Sequence, residues 1–326
     1  YQRDAGGSTF QFLPKTGTLT PSKGRYIAND ANIGEPDWDK FDRTQTLAGS
    51  FLEHKFSRFL TVRNNTRYTY LDNLYRATVL SGDTLIACPS SVRGCVAGET
   101  VNRRAVEGRG RSQGVAMDTQ VEGHVKTGPV QHTLLAGTDY FYTSWESSRD
   151  LVSSSLVLPM LDIFNPSSRG VSGYSAGLNP QVYSATKSYQ NGVYFQDQMK
   201  FERLRVTVGG RQDWATDDTL NILTRQRYVT SSNKFTWRAG AVYLLDFGLA
   251  PYFSYAQSFQ PQVSDPSTAL NGKPFKPTTG DQYEAGLRYQ YKKSIYVTFG
   301  AYQIKQKNMT TPAPDGEMCG TATCYV

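Results

Sequence analysis

The chain is poor in the features that mark most membrane-spanning and catalytic proteins. No run of about 18 apolar residues occurs, which excludes a membrane-spanning helix, and the mean hydropathy is -0.49. Only 38% of the 326 residues are hydrophobic, too few for a large helical bundle. Histidine is scarce: His54, His124 and His132 are the three, and none sits in a nucleophile-elbow, metalloprotease or deaminase pattern. The chain therefore reads as a non-enzyme with no covalently bound cofactor. The four cysteines form two close pairs, Cys88 with Cys95 and Cys319 with Cys324, in loops of small residues. No Cys-x-x-Cys repeat or neighbouring histidine offers a metal site. Two local disulfides fit better, and they place the chain in an oxidising compartment. Tyr1 to Phe10 lacks a basic start followed by an apolar stretch, so no signal peptide is expected there. The missing initiator Met suggests a mature or shortened chain.

Charge is weakly unbalanced, with 35 Lys+Arg against 28 Asp+Glu. The basic residues are scattered singly. The densest group, Arg103, Arg104, Arg109 and Arg111, accompanies no zinc-finger, helix-turn-helix or RNA-binding aromatic motif, so no nucleic-acid partner is expected. The acids Asp213, Asp217 and Asp218 follow a strand into a long loop and lack calcium-loop spacing. His124 alternates with Glu122 as a solvated residue.

What is abundant is tyrosine, 21 residues, and glycine, 29, within a pattern of period-two alternation. Over 282–291 one face carries Tyr283, Ala285, Leu287, Tyr289 and Tyr291, and the other Gln282, Glu284, Arg288 and Gln290. A helix would scatter that apolar set around its circumference. The same alternation runs through 60–68, 115–125 and 203–211. Asp197 interrupts the apolar face of 193–199 and is expected near a strand end, where a charge costs less. Short turns near 55–58, 126–129, 200–203, 245–248 and 291–294 alternate with long polar loops near 5–41, 81–100, 145–185, 215–233 and 259–279. This asymmetry predicts an all-β, antiparallel outer-membrane β-barrel with short periplasmic turns and long extracellular loops. Only the lipid-facing half of each strand must be apolar, which explains the low hydrophobicity. Tyrosines such as Tyr68, Tyr140, Tyr252 and Tyr291 are expected at strand ends, as interfacial girdles. The loop aromatics Phe10, Phe12, Tyr26, Trp38, Trp145, Phe164, Tyr174 and Phe275 are expected to serve mostly in loop packing, with a subset forming a pocket for a bulky ligand.

Several stretches, taken as a set over essentially the whole chain, closely resemble the barrel of TonB-dependent ferric-siderophore receptors. They are Asn191-Gly192-Val193-Tyr194-Phe195-Gln196-Asp197-Gln198, then 206–214, Phe235-Thr236-Trp237-Arg238, 251–259, Phe275-Lys276-Pro277 and 282–286. Phe12-Leu13-Pro14-Lys15-Thr16-Gly17-Thr18, His132-Thr133-Leu134-Leu135-Ala136-Gly137 and the pair Cys88/Cys95 resemble the hydroxamate (ferrichrome-type) branch. The resemblance implies a monomeric outer-membrane protein of a Gram-negative bacterium that imports a ferric hydroxamate siderophore. It also implies an N-terminal plug with a short box engaging the TonB–ExbB–ExbD complex, and a 22-stranded barrel.

Against that pattern, residues 1–326 correspond to the middle of the barrel, with about ten strands and without the plug or the closing C-terminal strands. An open sheet of that size would leave unpaired edges that a bilayer cannot satisfy, so a partial barrel is expected. By the same resemblance Phe10 and Phe12 take the positions of ligand-contacting aromatics, and Trp145 joins them from its loop position. Val79 and Ser81 stand where the family has a pair of tyrosines, so those contacts differ in kind. The alternatives are a passive outer-membrane porin, which would have no plug upstream, and a soluble secreted β enzyme or lectin, which would partition into water.

Overall fold

The computed structural model describes residues 1–7, 12–81, 88, 95–152, 160–167, 177–262, 269–292, 294–314, 317–319 and 322–326. Its elements are strands β1 (Gln2–Gly6), β2 (Lys40–Ser57), β3 (Leu60–Leu80), β4 (Thr100–Val101), β5 (Arg103–Thr127), β6 (Val130–Val152), β7 (Leu161–Asp162) and β8 (Asn179–Phe201). They continue with β9 (Leu204–Asn221), β10 (Gln226–Tyr243), β11 (Leu249–Gln260), β12 (Thr278–Tyr291), β13 (Ile295–Lys307), β14 (Met318–Cys319) and β15 (Ala322–Thr323), and one tight turn lies at Lys15–Thr18. Eleven strands form one antiparallel meander in the order β1-β2-β3-β5-β6-β8-β9-β10-β11-β12-β13. The sheet is open: β1 and β13 are its two edges. Every residue of β13 is exposed, as expected of a strand with one ladder unpaired.

Register sorts the side chains cleanly. Cross-strand partners share a face, and following them across the sheet puts Arg63, Glu122, Asp139, Tyr194, Gln196, Arg211 and Arg238 on one polar face. The opposite face carries Val121, Leu134, Phe195, Phe235, Trp237, Phe253 and Leu287. Phe195 and Phe253 on that face are 55% and 52% exposed. An apolar surface of this extent belongs against lipid, and the polar face lines the lumen.

Two expectations change. The stretch 215–233 is not a long loop: β9 and β10 stay paired from Leu204↔Tyr243 to Asn221↔Gln226. Thr216 and Asp218 lie on one face there, Asp217 and Thr219 on the other, so alternation vanishes while the ladder continues. Likewise β6 and β8 remain paired out to Leu151↔Asn179, well inside the expected loop 145–185. Strands of 18 to 25 residues far exceed the 9–11 or so that cross a bilayer. Their outer halves run on past the lipid, where nothing requires one face to be apolar. For the same reason Tyr68 and Tyr140 fall near mid-strand rather than at strand ends, while Tyr291 ends β12 at the short-turn side.

Candidate functional site

At the long-loop end of the sheet the connections fold over β3, β5 and β6 and bury a core of their own. Ile27 and Ile33 from the segment 12–39 pack with Leu80, Val101, Leu161 and Ile163, and Leu13, Ala31 and Phe164 close around them. The two-residue strands β4 and β7 pair beneath this core, Thr100↔Asp162 and Val101↔Leu161. A second cluster joins Trp38 to Ala105 and Val152, with the Arg76 guanidinium stacked 4.6 Å from the Trp38 ring centroid. Apolar burial alone does not fix the path of such a strap; its polar anchors do. The Arg103 Nη2 meets Glu35 Oε1 at 2.8 Å with both side chains wholly buried, and Arg103 Nη1 donates to the Ile33 carbonyl at 2.9 Å. Asp39 accepts from the Thr78 backbone N–H at 2.7 Å, and burial pushes its carboxyl above the usual range. Lys23 and Arg25 bracket Glu99 at 3.2 and 3.1 Å and hold that carboxyl below its ordinary value.

This strap presents Phe12. Leu13 is half-buried against the cap core and Pro14 is fully buried, while Phe12 beside them is 66% exposed. Phe10 lies outside the described residues. Trp145 is not on a loop. It sits within β6 opposite Ser112 and Thr186, half-buried on the lumen face, on the same side as Phe141 and Asp139. Phe12 and Trp145 therefore belong to different layers, cap and wall, and no ring contact joins them among the described residues. Trp38 and Phe164, the latter under the Arg25 guanidinium at 4.5 Å, serve loop packing. Tyr174 lies outside the described residues. Val79 is buried at the end of β3, and Ser81 is exposed beyond it.

Below the cap, the lumen face carries a network that the sequence reading missed. Arg211 binds Asp139 on one side and Asp213 on the other, the latter through Nη2–Oδ1 at 2.7 Å. Tyr194 donates to Asp118 Oδ1 at 2.6 Å, and Gln190 donates to Asp213 Oδ1 at 2.9 Å. Arg238 bonds Gln196, and Arg63 links Glu53 and Glu122 at 2.7 Å each. Gly192 makes room for this: a Cβ there would run into the Arg211 guanidinium. The signal was available, since these groups share one parity on neighbouring strands, but it becomes visible only once the strands are paired. Asp213 and Asp217 are buried on this strand wall rather than solvated in a loop. Asp218 turns to the other face, where it pairs with Arg227.

Three of the four arginines of the group at 103–111 meet carboxylates, Arg103 with Glu35, Arg109 with Glu107 and Arg111 with Asp72, while Arg104 is exposed. His124 meets Glu122 at 3.0 Å, in keeping with a lumen residue. Both cysteine pairs are disulfides, with Cα–Cα separations of 5.5 Å for Cys88–Cys95 and 5.0 Å for Cys319–Cys324. Among the described residues no three His, Cys, Asp or Glu side chains group to hold a metal ion.

The geometry is that of a barrel wall with a charged lumen face and a built cap at its long-loop end. Comparison with known proteins agrees. The chain is 30% identical over 333 residues to the ferrichrome outer membrane transporter/phage receptor of Escherichia coli K12, covering 97% of this chain and 43% of that protein. It is 32% identical over 317 residues to the ferrioxamine B receptor of Salmonella typhimurium SL1344, covering 95% and 41%. The chain thus spans less than half the length of these relatives. The crystal structure of the ferric-catecholate import receptor Fiu of E. coli K12, in its closed form, superposes with a TM-score of 0.74 at 19% identity over 94% of this chain and 48% of that one; at that identity the likeness speaks for the fold. The family model for TonB dependent receptor-like β-barrels matches residues 1–326, and the chain belongs to that family of Gram-negative outer-membrane receptors.

Proposed function

We propose that residues 1–326 are part of the barrel of a TonB-dependent receptor that binds a ferric hydroxamate siderophore and passes it to the periplasm. The observation that carries the ligand class is the likeness, at 30% and 32% identity, to receptors for ferrichrome and ferrioxamine B, both iron-chelating hydroxamates. In this reading the siderophore, with its iron, is cargo, and the protein transforms nothing. Phe12, held outward beside half-buried Leu13 and buried Pro14, offers an aromatic surface to the ligand, together with Phe10. Trp145 on the lumen face takes a second position below the cap. The remainder of the barrel and an upstream plug complete the protein, which works as a monomer and draws on the TonB–ExbB–ExbD complex for energy. The open edges at β1 and β13 support the need for further strands.

The test is binding of ferrichrome and ferrioxamine B to the intact receptor, read by intrinsic fluorescence quenching. Phe10→Ala with Phe12→Ala should weaken the preferred ligand by about tenfold or more, in line with loss of buried aromatic contacts. Unchanged affinity refutes the site assignment. Binding of ferric catecholates in preference to both hydroxamates refutes the ligand class.

A further inference from the structure

On the lumen wall, Arg238 is held differently from its neighbours Arg63 and Arg211. Those two are each clamped between a pair of carboxylates, which cancels their charge locally. Arg238 instead donates from Nη2 to the Gln196 side-chain oxygen, and among the described residues no carboxylate pairs with it. The guanidinium is exposed, while Gln196 is buried in the wall. A neutral partner leaves the full positive charge, and most of the N–H donors, open to the lumen. Register places the group. Gln196, Gly209, Arg238 and Ala256 form one row across β8, β9, β10 and β11, and Thr236 sits in the next row, opposite Arg211. Gly209 lies five residues into β9, which begins at Leu204. The row therefore stands roughly 15 Å above the short turns, about halfway across the hydrocarbon layer.

The wall is hollow at this height. A pocket of about 400 Å³ has Leu135, Gln196, Gly209, Thr236, Arg238 and Ala256 in its lining, all of them on the lumen face. Thr236 is only 8% exposed, and among the described residues its hydroxyl has no hydrogen-bond partner. Unlike Thr78 Oγ1, which is sealed in the wall, it keeps contact with the pocket. A solvated arginine would account for the exposed guanidinium alone. It would not account for a buried amide that fixes it, a buried hydroxyl left unpaired two residues away, and an apolar flank of Leu135 and Ala256. Arg238 and Thr236 stand about 7 Å apart on one face of β10 and present donors beside apolar surface. Their complement is a bulky group rich in oxygen acceptors and flanked by hydrocarbon. A ferric hydroxamate has that make-up: the anionic oxygens around its metal accept hydrogen bonds, and its linking chains are apolar.

We propose that this pocket is a second station for the ferric hydroxamate, entered after it leaves the cap and before it reaches the periplasm. Arg238 and Thr236 donate to the chelate oxygens, Gln196 sets the plane of the guanidinium, and Leu135 and Ala256 take the chain. The inference rests on the reading of the protein as a hydroxamate receptor, and adds a site on the path of transport that capture at Phe12 does not require.

The experiment measures equilibrium binding and energised uptake of radiolabelled ferric hydroxamate by cells carrying the intact receptor, with ferrichrome or ferrioxamine B, whichever the wild type imports. Arg238→Gln combined with Thr236→Val should lower the maximal uptake rate about tenfold, the size expected for loss of a charge-assisted hydrogen bond. Affinity, set at the cap, should stay within about twofold. Arg238→Lys, which keeps a charged donor, should keep most of the rate. Direct contact is read with Ala256→Cys, whose thiol is free because both native cysteine pairs are disulfides. A bromoacetyl derivative of the same hydroxamate should alkylate that thiol, with loss of bromide, in energised cells and only weakly once the proton-motive force is collapsed. Uptake without capture at position 256 overturns the proposal. So does an unchanged uptake rate in the double variant, or a fall in affinity that matches the fall in rate. If the wild type binds and imports neither hydroxamate, the functional reading fails, and the station with it, before any variant is tested.

Discussion

The buried Glu35–Arg103 pair allows the cap to be tested apart from the barrel. Replacing Glu35 by Ala leaves a wholly buried guanidinium without its carboxylate, a change worth about 3–5 kcal/mol. The strap holds to the cap largely through Leu13, Ile27 and Ile33, each contributing roughly 1.5–3 kcal/mol of apolar burial as an upper bound. The loss is therefore about half of that apolar contribution and small beside an eleven-strand ladder. Hydrogen exchange on the intact receptor should show the amides of 12–39 losing protection in Glu35→Ala while those of β8, β9 and β10 keep theirs. Siderophore affinity should fall with them, although Glu35 is buried away from any ligand, because Phe12 loses its fixed bearing. Replacing the pair together, Glu35→Leu with Arg103→Met, removes both charges and should come out within about 1 kcal/mol of wild type. Unchanged strap protection in Glu35→Ala, or equal loss across the barrel strands, would refute the view of the cap as a separately fastened unit.

Other outcomes follow from single contacts. Gly192→Ala drives a Cβ into the Arg211 guanidinium and should destabilise the intact receptor by about 1–3 kcal/mol, seen as a lower midpoint in denaturant; Gly128→Ala, with open space around it but a left-handed backbone, should cost less, about 1 kcal/mol. Glu99 sits below the usual carboxylate range through Lys23 and Arg25, so its contribution to holding the strap is complete above that range and is lost as the pH falls through the lowered value. The difference in strap opening between wild type and Glu99→Gln should accordingly vanish in acid and shrink in high salt. Asp39, raised by burial, works with the opposite sign: the folded form takes up a proton first, so acid favours its docking. Reduction of Cys319–Cys324, which closes a short ring, should release roughly 2 kcal/mol of loop constraint without changing protection in β12.

The fold was legible because a barrel wall writes its environment into every second residue. Tyr283, Ala285 and Leu287 against Glu284 and Arg288 needed no structure to interpret, and the short turns were placed to within a residue or two. The errors share one cause. Where a strand leaves the membrane, neither face meets lipid, and the period-two signal ends before the hydrogen bonds do. The hairpin of β9 and β10 through 215–233 was hidden that way, and so was the strand position of Trp145. Asp197, expected near a strand end, lies four residues before the end of β8; its partner His132, 65 residues away, was not legible in the sequence.

The site was less legible than the fold for a related reason. Its contacts are pairings across the meander, and their separation in sequence is set by strand and loop length rather than by any motif. Arg211 reaches Asp139 across 72 positions, and Arg103 reaches Ile33 across 70. Each of those residues looked ordinary alone: a scattered arginine, an acid in a polar stretch, an isoleucine in a loop. What distinguishes them is height and parity on the wall. Once the register is known, Asp118, Asp139 and Asp213 converge on one lumen patch with Arg211 between two of them. Glu35 and Asp39, by contrast, fasten a strap whose position no alternation could encode. A chain of this class declares where its membrane is in the pattern of single strands. It declares what it holds only in the pairing of strands and in the loops folded over their ends, which is why Phe12 and Trp145, named together from sequence, belong to different layers of the molecule.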